Sequence, residues 1–272
     1  MLNSYKTSNN YSADSVKVNA LSNPPVKTLI REAVSDKWKQ FSRDTFSVEE
    51  FTNNRLLSAL PADDFTRLLP HLQKITFSCG ENIFHPNDDS CFIYFPETAV
   101  YSQLNVLEDG RTVETAMIGN EGLVGLTTVL SCLQNANPWT QTLIEGSAYR
   151  INVNTFKQEF NNGGFLHTSF LEYLNSYIKQ ITQRAICNNH HLIEERFSTW
   201  LLMLDDRCGK NKLILTHEQI AHFLGVHRPS VTCIARDLRE KGIIEYCRGR
   251  IAIINRPMLE NSACECYSTM SV

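Results

Sequence analysis

The punctuation of residues 215 to 255, LTHEQIAHFLGVHRPSVTCIARDLREKGIIEYCRGRIAIIN, constrains the fold of this chain more than any other feature. Thr216 and Gln219 are spaced so that each side chain reaches the other's backbone N–H, the capping box that starts a helix. Ile220, Phe223 and Leu224 then share one buried side, and Gly225 ends the helix. Pro229 suits the first turn of a second helix, because amides there have no intrahelical acceptor. Val231, Ile234, Ala235 and Leu238 recur at i, i+3, i+4 and i+7, which sets its inner face. Gly242 is placed to close that helix in the left-handed conformation. IIEY and IAIIN flank CRGR as the two strands of a hairpin. The expected order is helix, tight turn, helix, hairpin.

With the apolar residues inward, the second helix turns Arg228, Ser230, Thr232, Cys233, Arg236 and Arg239 outward, and the hairpin turn adds Arg248 and Arg250. Residues 212 to 256 hold eight bases (Lys212, Arg228, Arg236, Arg239, Lys241, Arg248, Arg250, Arg256) against four acids (Glu218, Asp237, Glu240, Glu245), although the chain's net charge is −3. A basic block on an acidic body suits a protein of which one end meets a polyanion. An arginine can donate two hydrogen bonds to the O6 and N7 acceptors of guanine, and Arg228, near the helix start, is the expected base reader. Arg248 and Arg250 are expected to meet phosphates without reading sequence. His217, His222 and His227 read as surface residues whose partial protonation adds positive charge near phosphate.

Residues 1 to 50 are rich in Ser, Asn, Lys and Asp and predict a disordered leader. NRLLSALPADDFTRLLPHL from Asn54 predicts two short helices broken at Pro61. From Lys74 to Val153 the pattern becomes short β-rich runs, KITFS, CFIYFP, AVYSQLNVLEDG, TVETAMIG and TLIEGSAYRINV, which imply a small barrel or sandwich. Asp109-Gly110 predicts a hairpin turn. Residues 165 to 188 place Phe170, Leu174, Tyr177, Ile178, Ile181 and Ala185 on one helical stripe, which lies on the barrel or pairs with its copy across a two-fold axis. LIEERFSTWLLMLDDR from Leu192 adds a helix with Ile193, Phe197, Trp200, Leu201 and Leu204 on one face. The fold class is α+β, with a β-rich domain over 51–164, a dimerisation helix over 165–190, a DNA-binding domain over 191–262 and a tail over 263–272.

No apolar run is long enough to span a bilayer and the N-terminus lacks a secretory core, so a cytoplasmic location without membrane partners is expected. Nine cysteines, an odd number with no CxxC pair, read as reduced thiols. Cys264-Glu265-Cys266, with Cys247 and His190-His191, has too little pattern to predict a metal, so neither metal nor cofactor is expected. There is no HExxH motif, Walker loop or nucleophile elbow, so no enzyme is expected.

Residues 192 to 255 closely resemble the C-terminal domain of the Crp/Fnr regulators. GENIFHPNDDSCFIYFPETAVYSQLNVLEDGRTVETAMIGNEGLVGL resembles the family's cyclic-nucleotide-binding-like β-roll, and residues 165 to 188 occupy the place of its dimer helix. The resemblance implies a winged helix-turn-helix transcription regulator whose partners are double-stranded DNA, a second copy of the chain and, as a candidate, RNA polymerase. It puts Thr216 and Glu218 at the DNA backbone, where His227, Arg239, Arg248 and Arg250 are also expected. It implies that Arg228, Pro229, Cys233 and Arg236 face the groove, where Ser230 and Thr232 are also expected, and Phe170, Leu174, Tyr177, Ile178 and Ile181 are expected at the dimer interface. Pro229 and Cys233 depart from the family's usual acid and second arginine, so its best-known half-site does not carry over. An effector pocket would lie near Gly122, Gly125, Leu126, Thr127, Trp139 and Thr140. The family's cyclic-nucleotide cassette holds ribose with Gly-Glu and the phosphate with Arg, whereas this chain has Gly122-Leu123 and Pro138-Trp139-Thr140-Gln141. Regulation without cyclic AMP is therefore expected. The alternatives are a regulator gated by a cyclic nucleotide or other small molecule in the roll, or a redox- or metal-responsive one using its cysteines.

Overall fold

The computed structural model describes residues 51–85, 91–130, 138–208 and 213–270. The leader reading for residues 1 to 50 lies outside them. Two helices, α1 (Arg55–Ser58) and α2 (Ala62–Leu68), open the described chain. Asn54 caps α1 by accepting from the Leu57 N–H, and Pro61 sits at the start of α2.

The β-rich segment forms two sheets. β1 (Gln73–Phe77), β7 (Gly146–Asn152) and β3 (Phe92–Pro96) make one, and β2 (Asn82–Phe84), β6 (Trp139–Ile144), β4 (Val100–Val106) and β5 (Thr112–Ile118) make the other, all pairs antiparallel. The run TLIEGSAYRINV, read as one strand, breaks at Glu145 into β6 and β7, which belong to different sheets. Gly146 is required at that corner, because a Cβ there would lie 2.4 Å from the Ala99 nitrogen. The β4–β5 hairpin turns as expected, with Gly110 at φ +82° and the Leu107 N–H donating to the Arg111 carbonyl at 2.8 Å. Inside the roll Phe77, Phe84, Tyr94 and Tyr101 meet edge to face, with ring centroids 5.6 to 5.7 Å apart.

After the short α3 (Leu126–Leu130) and after α4 (Val153–Asn161), α5 runs from Gly164 to His190. Its stripe splits into two. Phe170, Tyr173, Gln180, Arg184 and Cys187 are buried in the same chain. Leu171, Ile178 and Ala185 are exposed, Ile178 by 53%, and Leu174 and Ile181 are half-buried. Phe170 and Tyr177, expected at a dimer interface, turn inward: Phe170 packs on Phe156 and Phe160, and the Tyr177 hydroxyl donates to the Gln103 side chain.

The helix α6 (Ile193–Cys208) is not one-sided as its pattern suggested. Phe197 through Leu204 are all buried, because the roll, the helix-turn-helix and the C-terminal segment cover different faces. The C-terminal unit continues with β8 (Leu213–Ile214), α7 (His217–Leu224), α8 (Arg228–Glu240), β9 (Ile244–Cys247), β10 (Arg250–Ile253), α9 (Arg256–Asn261) and α10 (Cys266–Met270). The hairpin gains β8 on its outer edge, so the wing has three strands in the order β8-β10-β9. Residues 263 to 270, read as a tail, bury Cys264, Cys266 and Met270.

One buried polar node joins these parts. Glu114 on β5 is fully buried and accepts from Ser102 Oγ at 2.6 Å, from Trp200 Nε1 at 2.9 Å and from the Arg184 guanidinium. Burial pushes its carboxyl up, while Arg184, Ser102 and Trp200 favour the charged form. Breaking a buried pair leaves an uncompensated charge. Glu114→Gln, which strands Arg184, is therefore expected to lower unfolding free energy by about 3 to 5 kcal/mol in a denaturant titration. A loss under about 1 kcal/mol, the range of exposed pairs, would contradict this reading.

Candidate nucleic-acid interface

Both helices of the helix-turn-helix start and stop where their residues demand. Thr216 Oγ1 accepts from the Gln219 N–H at 3.2 Å and Gln219 Oε1 accepts from the Thr216 N–H at 2.9 Å, which completes the capping box. Gly225 follows α7 at φ +64°, with the Val226 N–H donating to the Ala221 carbonyl at 3.0 Å. Gly242 follows α8 at φ +70°, and the Ile243 N–H reaches back to Leu238 at 2.9 Å. Both are Schellman closures, which glycine adopts without Cβ strain. A Cβ on Gly225 would lie 3.2 Å from Val113 Cγ2, so the turn also rests against β5 of the roll.

On α8, Val231, Ala235 and Leu238 are buried and Arg228, Pro229, Thr232, Cys233, Arg236 and Arg239 are exposed, with Ser230 half-buried. The outward face therefore carries three guanidinium groups. Arg228 Nε lies 3.8 Å from Glu218 Oε2, and Arg236 lies 3.4 Å from Asp237 and 3.9 Å from Glu240. These pairs are exposed and contribute about 1 kcal/mol or less, so the arginines can exchange them for a base edge or phosphate. Among the described residues Arg239, Arg248 and Arg250 have no acidic partner. Lys241 and Arg256, counted in the basic block, also have acidic partners within the domain, that of Lys241 being an exposed pair. Lys241 pairs with Glu194 at 2.9 Å, and Arg256 holds Asp205 at 2.6 Å and Asp206 at 2.5 Å across the end of α6. His227 is exposed at the α8 N-cap and its side chain makes no cap bond.

His217 does something the sequence did not disclose. Its ring stacks on Tyr246 of the wing with centroids 4.1 Å apart, and Nδ1 lies 3.0 Å from Thr232 Oγ1 on α8. Thr232 Oγ1 in turn donates to the Arg228 carbonyl at 3.1 Å. Burial, and secondarily the charge of Arg228, lower the His217 pKa, so this ring stays neutral near pH 7. The expectation of added positive charge fails at His217, which instead fastens α7, α8 and the wing to one another. Both roles of the Thr232 hydroxyl are met within the chain.

The wing turn is a two-residue loop, since Cys247 pairs with Arg250. Arg248 (φ +48°) and Gly249 (φ +75°) both adopt positive φ, the geometry that matches the twist of a tight hairpin. Glycine takes that geometry freely, but an arginine there is strained by about 1 to 2 kcal/mol. Asn would fit the turn better, so Arg248 occupies it at a cost to local stability.

Of the residues expected around an effector, Gly122, Gly125, Leu126 and Thr140 are buried and Thr127 and Trp139 are half-buried. A Cβ on Gly122 would lie 2.4 Å from the Tyr173 ring of α5, and one on Gly125 would lie 3.0 Å from Ile93. Trp139 Nε1 donates to Asn82 at 2.9 Å and Thr140 is buried. A groove of about 490 Å³ does run along α5 past Glu172, Tyr173, Tyr177 and Gln180, but none of the six expected residues lines it. No helix of the described chain is long and apolar enough to cross a membrane.

Comparison with known proteins agrees with this geometry. Residues 195–262 match the Crp-like helix-turn-helix domain. The chain is 21% identical over 185 residues to the anaerobic regulatory protein of Bacillus subtilis, covering 65% of this chain and 78% of that one. It is 23% identical over 216 residues to the global nitrogen regulator of Synechocystis, covering 76% and 95%. Among solved structures, a Crp/Fnr-family transcriptional regulator from Eubacterium rectale superposes with a TM-score of 0.62 at 18% identity, covering 77% and 97%. FixK2 from Bradyrhizobium japonicum gives 0.61 at 17%, covering 71% and 98%. At these identities the structures establish the shared fold.

The wing turn gives a two-sided test. Arg248→Asn should stabilise the protein by about 1 kcal/mol in chemical denaturation, because it relieves the positive-φ strain. It should also reduce the slope of log affinity for duplex DNA against log salt by about 1, the signature of one lost phosphate contact. An unchanged slope would remove Arg248 from the contact surface.

Proposed function

We propose that this chain, whose residues 195–262 match the Crp-like helix-turn-helix domain, is a DNA-binding transcription regulator of Crp/Fnr type that acts as a cytoplasmic homodimer on a two-fold symmetric DNA site. The observation that carries this reading is the pairing of an exposed arginine face on α8 with an exposed aliphatic seam on α5. Leu171, Leu174, Ile178, Ile181 and Ala185 follow a seven-residue spacing, which suits a second copy of the same helix. Two α8 helices so related would meet successive major grooves, with each Arg228 aimed at base edges and each wing at phosphates.

We read the roll as working without cyclic AMP. Leu123 is fully buried where the cassette needs a carboxylate, and the neighbouring Glu121 is held by Arg207 at 2.8 Å. Tyr173 covers Gly122 and its hydroxyl donates to the Leu123 carbonyl at 3.1 Å. A buried cyclic phosphate would need a cation that residues 122 to 130 do not carry. We assign the chain no catalytic role.

Footprinting across genomic fragments tests the proposal. Salt-dependent protection of a palindromic site is expected, and failure of the pure protein to protect any site at low salt would refute it. Arg228→Ala should relax preference at one base pair by about 1 to 3 kcal/mol, while Arg250→Ala should weaken all sites alike. Ile178→Asp should yield a monomer by analytical ultracentrifugation and abolish site-specific binding. A dimer that survives this change would place the seam elsewhere.

A further inference from the structure

Three cysteines and a histidine from two distant stretches of the chain converge at the junction of α5 and α6. Cys187 lies in the last turn of α5 and His191 follows its end, while Cys264 and Cys266 come from the C-terminal segment. Their Sγ and ring-nitrogen atoms all lie within 4.8 Å of one another. Cys187 Sγ and Cys264 Sγ are 3.5 Å apart, and Cys266 Sγ is 3.4 Å from His191 Nδ1. A tetrahedral zinc ion with bonds of about 2.3 Å to sulfur sets its ligand sulfurs roughly 3.8 Å apart. The side chains are therefore already gathered at near-coordination spacing. Cys247, which the sequence grouped with them, is exposed on the wing and takes no part, and His191 serves where His190 does not.

The surroundings also suit a metal centre. The Gln183 side-chain amide donates to Cys266 Sγ at 2.9 Å. Thr199 Oγ1 accepts from the Cys264 N–H at 3.2 Å, which leaves its own proton for Cys264 Sγ, also at 3.2 Å. His191 Nε2 faces the Glu265 carboxylate at 3.3 Å, so the proton is held on Nε2 and Nδ1 is free to ligate. A carboxylate behind a ligating histidine is the usual support of a zinc site. Three thiolates and a neutral imidazole around a divalent ion leave one negative charge. Arg196, half-buried near the start of α6 with Nε unpartnered among the described residues, is a cation that can balance it.

We propose that Cys187, His191, Cys264 and Cys266 form a structural Cys3His site for a zinc ion that pins the C-terminal segment to the junction between the long helix and the DNA-binding domain. Soft sulfur with imidazole in a closed tetrahedron selects zinc over hard cations. An iron–sulfur cubane needs its ligand sulfurs farther apart than this cluster allows. The ion crosslinks the end of α5 to residues packed on α6, so its removal would loosen the DNA-binding domain against the helix that carries it.

The test uses the full chain, reduced and stripped by a chelator, titrated with Co2+ as a spectroscopic substitute. One Co2+ per chain is expected, with intense visible bands of tetrahedral cobalt and a near-ultraviolet thiolate charge-transfer band, both erased by one equivalent of Zn2+. Zinc should also raise the Tm. Cys264→Ser and Cys266→Ser should each lose the charge-transfer signal, whereas Cys91→Ser, in the roll, should keep it. His191→Ala, at the rim of the cluster, leaves the buried sulfurs in place and gives the same test should the cysteine variants fail to fold. Glu265→Gln, altering only the positioning carboxylate, should weaken zinc affinity about 10- to 100-fold. A chain that takes up no Co2+, or binds it unchanged in Cys264→Ser, Cys266→Ser and His191→Ala, would overturn the assignment.

Discussion

A carboxylate taken out of water is tolerated only where its lone pairs are occupied, and Glu114 finds those partners on three different elements. Ser102 comes from the neighbouring strand, Arg184 from the long helix and Trp200 from the first helix of the C-terminal unit. Around this node lie Phe197, Leu201 and Phe223, with Phe223 stacked on Trp200 at 5.6 Å. The apolar contacts supply most of the adhesion but are indifferent to small slips. The polar bonds are directional, so any slip strands a buried charge. The angle at which the DNA-binding unit meets the roll is thus set by Glu114, while the strength of the contact comes from the rings around it.

The same strand makes a second contact with that unit. Val113 touches the turn at Gly225, and Glu114, the next residue, faces the node, since successive side chains of a strand point to opposite faces. A third link, Arg207 with Glu121, leaves the roll at the loop after β5. Further along, the Gln180 side chain accepts from the Met117 N–H at 3.2 Å, so α5 reads the backbone of β5 directly. A change in the twist of β5 would reach the helix-turn-helix, α6 and α5 together. β5 is thus the strand through which the roll touches the turn after α7, the helix α6 and the helix α5.

The sequence disclosed what is encoded locally. Capping boxes, Schellman glycines and the Asp-Gly turn depend on residues within one turn of each other, and Thr216, Gly225, Gly242 and Gly110 all sit in the expected geometry. What it concealed depends on partners distant in the chain. His217 looked like a surface residue because Tyr246 and Thr232, which enclose it, come from other elements. Phe170 and Tyr177 carried the same hydrophobic signal as Ile178, and periodicity cannot say which apolar face meets its own chain. Arg256 added to a basic block by count, yet its charge is spent on Asp205 and Asp206. The thiol cluster was least visible of all, since Cys187 and Cys264 are brought together only by the packing of α10 on α5 and α6.

The long helix shows how one element serves several neighbours. Its inward residues follow a seven-residue spacing, and their chemistry changes along the axis: Phe170 and Tyr173 against the roll and α4, Gln180 and Arg184 at β5, and Cys187 at the C-terminal segment. Its outward residues, one position further on, do not change, running Leu171, Ile178 and Ala185 with Leu174 and Ile181 between them. A surface that must match three different neighbours has to vary along its length. A surface that meets a copy of itself across a two-fold axis can stay uniform, because each residue faces the same chemistry it presents. The uniform aliphatic face is what the proposed two-fold seam requires, and the variable face fixes which way that seam points.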